Sequence, residues 1–285
     1  MLKLLSAFLF SFSFFISTNI KAQSDSIILR DIAWDHSSPA SFIELAIPSE
    51  GSIMQGLIYK ANTAKKHPTL ILLHGYPGNE RNLDLAQIVR ARGWNVIYFN
   101  YRGSWGSGGK FSFKNCVRDA INVVKFCKKY QDSLQIDTSN MVLFGHSMGG
   151  WVCLEALQQL PEIKKGFALS TWNIYDEFKN VKTDQQLTKK IKEDGGEIFV
   201  LNTPVKVIYQ SVANDPDYFN LADKGNALSY KQIIMLDEHP GNKIIADGIK
   251  NSNKSYFDYQ VWPTDHSFTN KRISLINKVL EFLER

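Results

Sequence analysis

The sequence predicts an α/β fold with a mostly parallel central sheet and helices on both faces. Continuous apolar runs such as Thr69–Leu73 are typical of strands that are buried on both faces. Amphipathic segments with helical spacing, such as Asn115–Tyr130, stand between these runs. The connections are short, and strand–helix–strand units joined in this way form parallel sheets.

Length and composition indicate a globular protein with one large domain. The chain has 285 residues, of which 44 % are hydrophobic and 12 % aromatic, which is too apolar for a disordered chain. The net charge is +5, and it falls to +3 without the first 22 residues, which contain Lys3, Lys21 and no acid; this excess is too small to indicate a nucleic-acid partner. The three cysteines exclude a disulfide framework and a zinc site made of cysteine alone, and we expect them to be buried apolar residues.

The first 22 residues have the layout of a secretory signal peptide. Lys3 precedes the apolar run Leu4–Ile16, and Ala22 offers a cleavage point before Gln23. We therefore expect a secreted or periplasmic protein whose mature chain, residues 23–285, is a single domain. Because no cysteine follows the cut and no later run approaches 18 apolar residues, we expect no lipid anchor and no membrane insertion.

The predicted elements follow one another in a regular order. A Ser-Glu-Gly-Ser turn joins an antiparallel hairpin, Ser41–Ile47 with Met54–Tyr59. The later predicted strands are Thr69–Leu73, Asn95–Asn100, Asn140–Phe144, Gly166–Ser170, Gln232–Leu236 and Phe257–Trp262. The predicted helices are Asn79–Arg92, Asn115–Tyr130, Gly149–Leu160 and Lys271–Leu283, with Gly93 and Pro161 as stop signals.

The segment from about Trp172 to Ala227 departs from this alternation. Its pattern is helical and polar, without a clear partner strand. We predict a small helical cap or insertion there.

One short motif carries the strongest chemical signal. The pattern GxSxG occupies Gly145–Gly149, directly after a predicted strand and before a predicted helix. A sharp strand-to-helix turn raises the serine hydroxyl above the sheet and needs small residues on both sides. This context predicts that Ser147 is a nucleophile.

A serine nucleophile needs a base, and the base needs an orienting acid. His266 follows the last predicted strand, where a loop reaches the same sheet edge as Ser147, so we assign it as the base. Asp237, after the preceding strand, is the favoured acid, and Glu238 and Asp215 are alternatives. Asp215 would require Pro204–Tyr209 to be the strand before it.

A tetrahedral intermediate also needs two hydrogen-bond donors for its oxyanion. The backbone N–H of Met148 follows the nucleophile directly. The glycine-containing loop His74–Glu80, after the first buried strand, can approach the substrate closely. We predict the N–H of Tyr76 as the second donor, with its hydroxyl as a helper.

No cofactor or metal site is predicted. The run Gly106–Lys110 resembles a phosphate loop but has Phe111 where a magnesium-binding Ser or Thr belongs. The triplet Asp237–His239 lacks the partners that a metal site requires.

Four segments in order, LILLHGYPGNE, NYRGSWGSGGKF, GHSMGG and TDHSFTNKR, resemble the α/β-hydrolase superfamily. The likeness is nearest to the prolyl oligopeptidase catalytic domain and the dienelactone-hydrolase-like branch, and it runs from about Ser41 to the C-terminus. The resemblance implies the α/β-hydrolase fold, a triad of Ser147, Asp237 and His266, and an oxyanion hole formed by Tyr76 and Met148.

The predicted function is a serine hydrolase that cleaves an ester or a small amide or peptide bond through an acyl-Ser147 intermediate. The expected partner is therefore a small ester or a short peptide. The alternatives are a short-peptide serine peptidase, an acyltransferase using the same triad, and a non-catalytic binding protein on the hydrolase fold. The sequence indicates no oligomeric state.

Overall fold

A computed structural model describes residues 34–285, and the predicted signal peptide lies outside them. The described chain contains one sheet whose strands stand in the order β1-β2-β4-β3-β5-β6-β7-β8. The strands are β1 (Ser41–Ser49), β2 (Ser52–Lys60), β3 (His67–Leu73), β4 (Asn95–Phe99), β5 (Ile136–His146), β6 (Lys165–Leu169), β7 (Gln232–Asp237) and β8 (Tyr256–Val261).

The sheet is antiparallel at one edge and parallel elsewhere. β1 and β2 form the predicted hairpin, and β2 pairs antiparallel with β4. All pairs from β4 through β3, β5, β6 and β7 to β8 are parallel. Parallel strands all end at the same edge, so the loops that follow β3, β5, β7 and β8 meet there.

Helices cover both faces, as predicted. They are α1 (Leu83–Ala91), α2 (Phe113–Lys129), α3 (Met148–Gln159), α4 (Ile174–Phe178), α5 (Asp184–Glu193), α6 (Val205–Ala213), α7 (Lys243–Ser252) and α8 (Arg272–Leu283). The apolar faces of α2 and α3 belong to one core cluster, and those of α1 and α8 belong to a second. The three cysteines are free and buried, as expected.

The segment between β6 and β7 is helical, as predicted for the cap. It contains α4, α5 and α6, followed by 3₁₀ helices at Pro216–Phe219 and Ala222–Leu228. The structure differs from the sequence prediction in two places. The alternative strand Pro204–Tyr209 is instead the start of α6, and α7 occupies a stretch for which no element was predicted.

Further short 3₁₀ helices are Pro240–Asn242 and Thr269–Lys271. Within residues 34–285, no helix is both long enough and apolar enough to cross a membrane.

Candidate active site

Ser147 occupies the turn between β5 and α3. Its backbone has φ 60° and ψ −122°, a conformation that costs free energy for a residue with a side chain. A Cβ on Gly145 would overlap the carbonyl group of Gly149, and one on Gly149 would overlap the carbonyl group of Leu73. The crowding expected around the predicted nucleophile is therefore present.

His266 lies in the loop after β8, where its ring contacts a carboxylate. Its Nδ1 is 2.7 Å from Oε1 of Glu238, and Oγ of Ser170 donates to Oε2 of Glu238 at 2.6 Å. Burial alone would raise the pKa of Glu238, but the hydrogen bonds from His266 and Ser170 outweigh it and lower that pKa to about 2. Glu238 is therefore an ionised acceptor that holds the imidazole in place.

The favoured acid, Asp237, does not contact His266, and the assignment moves to Glu238. Asp237 is the last residue of β7 and fully buried, and its Oδ1 accepts a hydrogen bond from the backbone N–H of Thr171 at 3.2 Å. Glu238 follows β7 directly, and its carboxylate is the one that lies against His266. Burial raises the pKa of Asp237 to about 6, aided by the charge of Glu238.

The other alternative acid, Asp215, lies at the surface after α6. Its carboxylate pairs with Lys114 at 2.6 Å. It lines none of the cavities that include Ser147.

Ser147 lines three adjoining cavities. The first, of about 280 Å³, also contains His266 and Glu238. The second, of about 220 Å³, contains His266 and the loop that carries Tyr76. The third, of about 300 Å³, lies toward the helical segment between β6 and β7. Among residues 34–285, no hydrogen bond joins Oγ of Ser147 to His266, a contact that often tightens only when substrate binds.

The two predicted oxyanion donors flank the same serine. Met148 is the first residue of α3, so its N–H has no acceptor within the helix. On the other side, a Cβ on Gly75 would stand 2.9 Å from Cβ of Ser147. The loop that continues into Tyr76 therefore approaches the nucleophile as closely as glycine allows.

Two supporting side chains could not be assigned from the sequence. His146 donates its Nε2–H to the backbone carbonyl of His266 at 2.9 Å, and burial, with the charge of His266, lowers the pKa of His146 to about 4. His146 therefore remains neutral and holds the His266 loop. Ser170 orients Glu238. Both roles depend on contacts across the sheet edge that no local motif marks.

Aromatic rings and carboxylates share the third cavity. The rings of Tyr76, Trp172 and Tyr209 line it together with Glu177 and Asp194. Nε1 of Trp172 donates to Glu177 at 2.6 Å, and the hydroxyl of Tyr209 donates to Asp194 at 2.8 Å.

Lys190 bridges this pair of acids. Nζ of Lys190 lies 2.7 Å from Glu177 and 3.1 Å from Asp194, so two carboxylates share one ammonium group. These three side chains together carry a net charge of −1 when all are ionised. Within residues 34–285, no group of three or more His, Cys, Asp or Glu side chains is arranged to hold a metal ion.

Solved structures with the same arrangement of strands and helices decide the fold. The structure of DcsB in complex with its substrate analogue superposes with a TM-score of 0.68 at 16 % identity, covering 86 % of this chain and 98 % of that one. The Pyrococcus furiosus esterase Pf2001 superposes with a TM-score of 0.63 at 19 % identity, covering 86 % and 91 %. The described chain therefore has the α/β-hydrolase fold.

A family model described as serine aminopeptidase, S33, matches residues 64–194 of this chain. An uncharacterized protein of Rickettsia prowazekii (strain Madrid E) is 29 % identical over 118 residues, which are 39 % of this chain and 48 % of the relative. The lysophosphatidylserine lipase ABHD12 of Danio rerio is 26 % identical over 105 residues, 36 % of this chain and 26 % of the lipase.

The matched region thus spans less than half the length of these curated relatives. The comparisons support a hydrolase. The branch of the superfamily favoured by the sequence motifs stays a prediction.

Proposed function

We propose that this protein is a serine hydrolase that cleaves small esters. Ser147 is the nucleophile, His266 the general base and acid, and Glu238 the orienting acid. The observation that carries the proposal is the 2.7 Å contact between His266 and an ionised Glu238, beside a serine held in a strained turn. Strained residues of this kind concentrate at functional sites.

The reaction follows from these positions. Oγ of Ser147 attacks the acyl carbon while its proton passes to Nε2 of His266, and Glu238 stabilises the imidazolium ion that forms. The N–H groups of Tyr76 and Met148 bind the oxyanion. His266 then gives the proton to the leaving alcohol. In the second half, His266 takes a proton from water, whose oxygen attacks the acyl carbon. His266 then returns this proton to Oγ of Ser147 as the acid leaves.

Cavity size supports a small substrate. The cavities around Ser147 measure about 220 to 300 Å³, so each accommodates a short acyl or alcohol group. Esterases and a lipase among the similar proteins favour ester over amide substrates.

A second candidate function is a peptidase that acts on short peptides with a free N-terminus. The net negative charge of Glu177, Asp194 and Lys190 beside the aromatic rings favours a bound ammonium group. The S33 aminopeptidase family model points the same way.

Two substrate series separate the candidates. We would measure kcat/KM for p-nitrophenyl esters of increasing acyl length and for aminoacyl p-nitroanilides. Hydrolysis of the esters alone supports the esterase, whereas faster hydrolysis of the anilides identifies the peptidase. Added alcohols that divert the acyl group from water would indicate an acyltransferase.

Matched variants test the residues. Ser147→Ala and His266→Ala should lower turnover by at least about 10³-fold, because the nucleophile and base act as one unit. Ser133→Ala and His36→Ala change the same residue types at exposed positions and should leave turnover unchanged. No turnover of either series by folded protein would favour a non-catalytic binding protein.

We also propose that the protein is exported, on the basis of its first 22 residues. Intact-mass measurement after expression in a secreting host should show a chain that begins at Gln23. A chain that keeps Met1 would contradict this.

A further inference from the structure

A tryptophan outside the proposed triad contacts the loop that carries Tyr76. We define residues 74–81 as the oxyanion loop and propose that Trp105 is a positioning residue for it. The inference rests on the proposed function, in which the N–H of Tyr76 binds the oxyanion. Trp105 itself does not line the cavities that include Ser147.

The first contact is a hydrogen bond to the backbone of the loop. Nε1 of Trp105 donates to the carbonyl oxygen of Pro77 at 2.7 Å. The ring of Pro77 fixes its own φ, so few free torsions separate this anchored carbonyl from the N–H of Tyr76. The hydrogen bond to the Pro77 carbonyl therefore restricts the direction in which the N–H of Tyr76 points.

The second contact uses the face of the indole. The guanidinium carbon of Arg81 lies 4.6 Å from the centroid of the Trp105 ring and 5.4 Å from that of Tyr98. A Cβ on Gly78 would stand 3.0 Å from Nε1 of Trp105, so the indole packs directly on the glycine backbone. Trp105 thus contacts the loop at its middle and at its far end.

Trp105 is itself held by the segment between β6 and β7. Its backbone N–H donates to the carbonyl oxygen of Val200 at 2.9 Å, and Ser104 forms a bridge with Leu201. Ile198, in the same segment, lines the third cavity with Ser147. The φ of 48° at Trp105 is unusual for a residue with a side chain, which indicates that these surroundings determine its conformation.

Trp105→Phe tests the role, since it keeps an aromatic face for Arg81 and removes only the N–H donor and part of the ring. Loss of a whole oxyanion donor costs about 10² to 10³ in kcat, so misdirecting one should cost about tenfold. We expect kcat to fall about tenfold with KM unchanged. Amide hydrogen exchange should accelerate in residues 75–81.

Trp94→Phe is the matched control, because Trp94 is buried in the core cluster that contains the apolar faces of α1 and α8. It should leave kcat, KM and exchange in the loop unchanged. The unfolding midpoint of each variant, compared with wild type, identifies general destabilisation.

Two results would overturn the proposal. One is an amide hydrogen-exchange rate in residues 75–81 of Trp105→Phe that equals the rate in the wild-type protein. The other is a joint change in kcat, KM and exchange throughout the chain, which indicates a general structural role. If wild-type protein turns over no substrate, the proposed function fails separately. Exchange in the loop then still decides the role of Trp105, with faster exchange supporting it and unchanged exchange refuting it.

Discussion

Replacing Glu238 by glutamine tests which acid supports His266. Glutamine has nearly the same shape but cannot carry the charge that the imidazolium ion needs. In the wild-type protein, the surroundings of Glu238 lower its pKa from the ordinary 4.5 to about 2, which corresponds to about 3 kcal/mol in favour of the carboxylate. Allowing for solvent screening at the open side of the site leaves about 2 kcal/mol.

That free energy corresponds to a factor of about 30 in rate, so Glu238→Gln should lower kcat about 30-fold or more. The matched variant is Asp237→Asn, which removes the neighbouring charge and keeps an oxygen for the N–H of Thr171. It should leave kcat within about threefold. Steady-state turnover of a p-nitrophenyl ester at pH 8 measures both variants.

The reverse pattern would refute this reasoning. If Asp237→Asn lost 30-fold in kcat and Glu238→Gln lost little, the acid would be Asp237. Thermal unfolding of both variants in the same buffer shows whether a loss of rate merely reflects unfolded protein.

Three further predictions concern the same site. Gly75→Ala should lower kcat/KM at least tenfold, because the added Cβ would stand 2.9 Å from Cβ of Ser147, and unchanged kinetics would contradict that crowding. Asp237→Asn should raise the free energy of unfolding at pH 8 by up to about 3 kcal/mol and change it little near pH 4. The reason is that the buried Asp237 carboxyl, with its pKa raised to about 6, destabilises the fold only when it is ionised. Urea unfolding at both pH values measures the difference. Because its pKa is lowered, ionised Glu238 should stabilise the fold above pH 4.5, and this stabilisation should be lost toward pH 2. In Glu238→Gln, the free energy of unfolding in urea should therefore depend less on pH between pH 4.5 and pH 2. An unchanged pH dependence would contradict the cause assigned to the lowered pKa.

The sequence was sufficient where a local pattern decides the structure. The continuous apolar run Thr69–Leu73 marked β3, because a strand covered on both faces has no polar side. The GxSxG motif located the turn at Ser147 because its crowded backbone requires small residues at fixed positions.

The sequence was insufficient where contacts across the sheet edge decide. Asp237 and Glu238 are adjacent, and the conformation of the chain as it leaves β7 determines which of them faces His266. The start of α6 also fitted a strand prediction, because Val205–Tyr209 is a short, mostly apolar segment that is compatible with the periodicity of a helix and of a strand. The contact of Trp105 with Pro77 joins residues 28 positions apart, and no motif marks it.

The central claim is that Ser147 is an activated nucleophile. Incubation of the purified protein with a fluorophosphonate probe, followed by peptide mass spectrometry, tests it most directly. We predict a single adduct on Ser147 that is absent from His266→Ala. Folded protein that remains unlabelled, or that carries its adduct on another residue, would contradict the account.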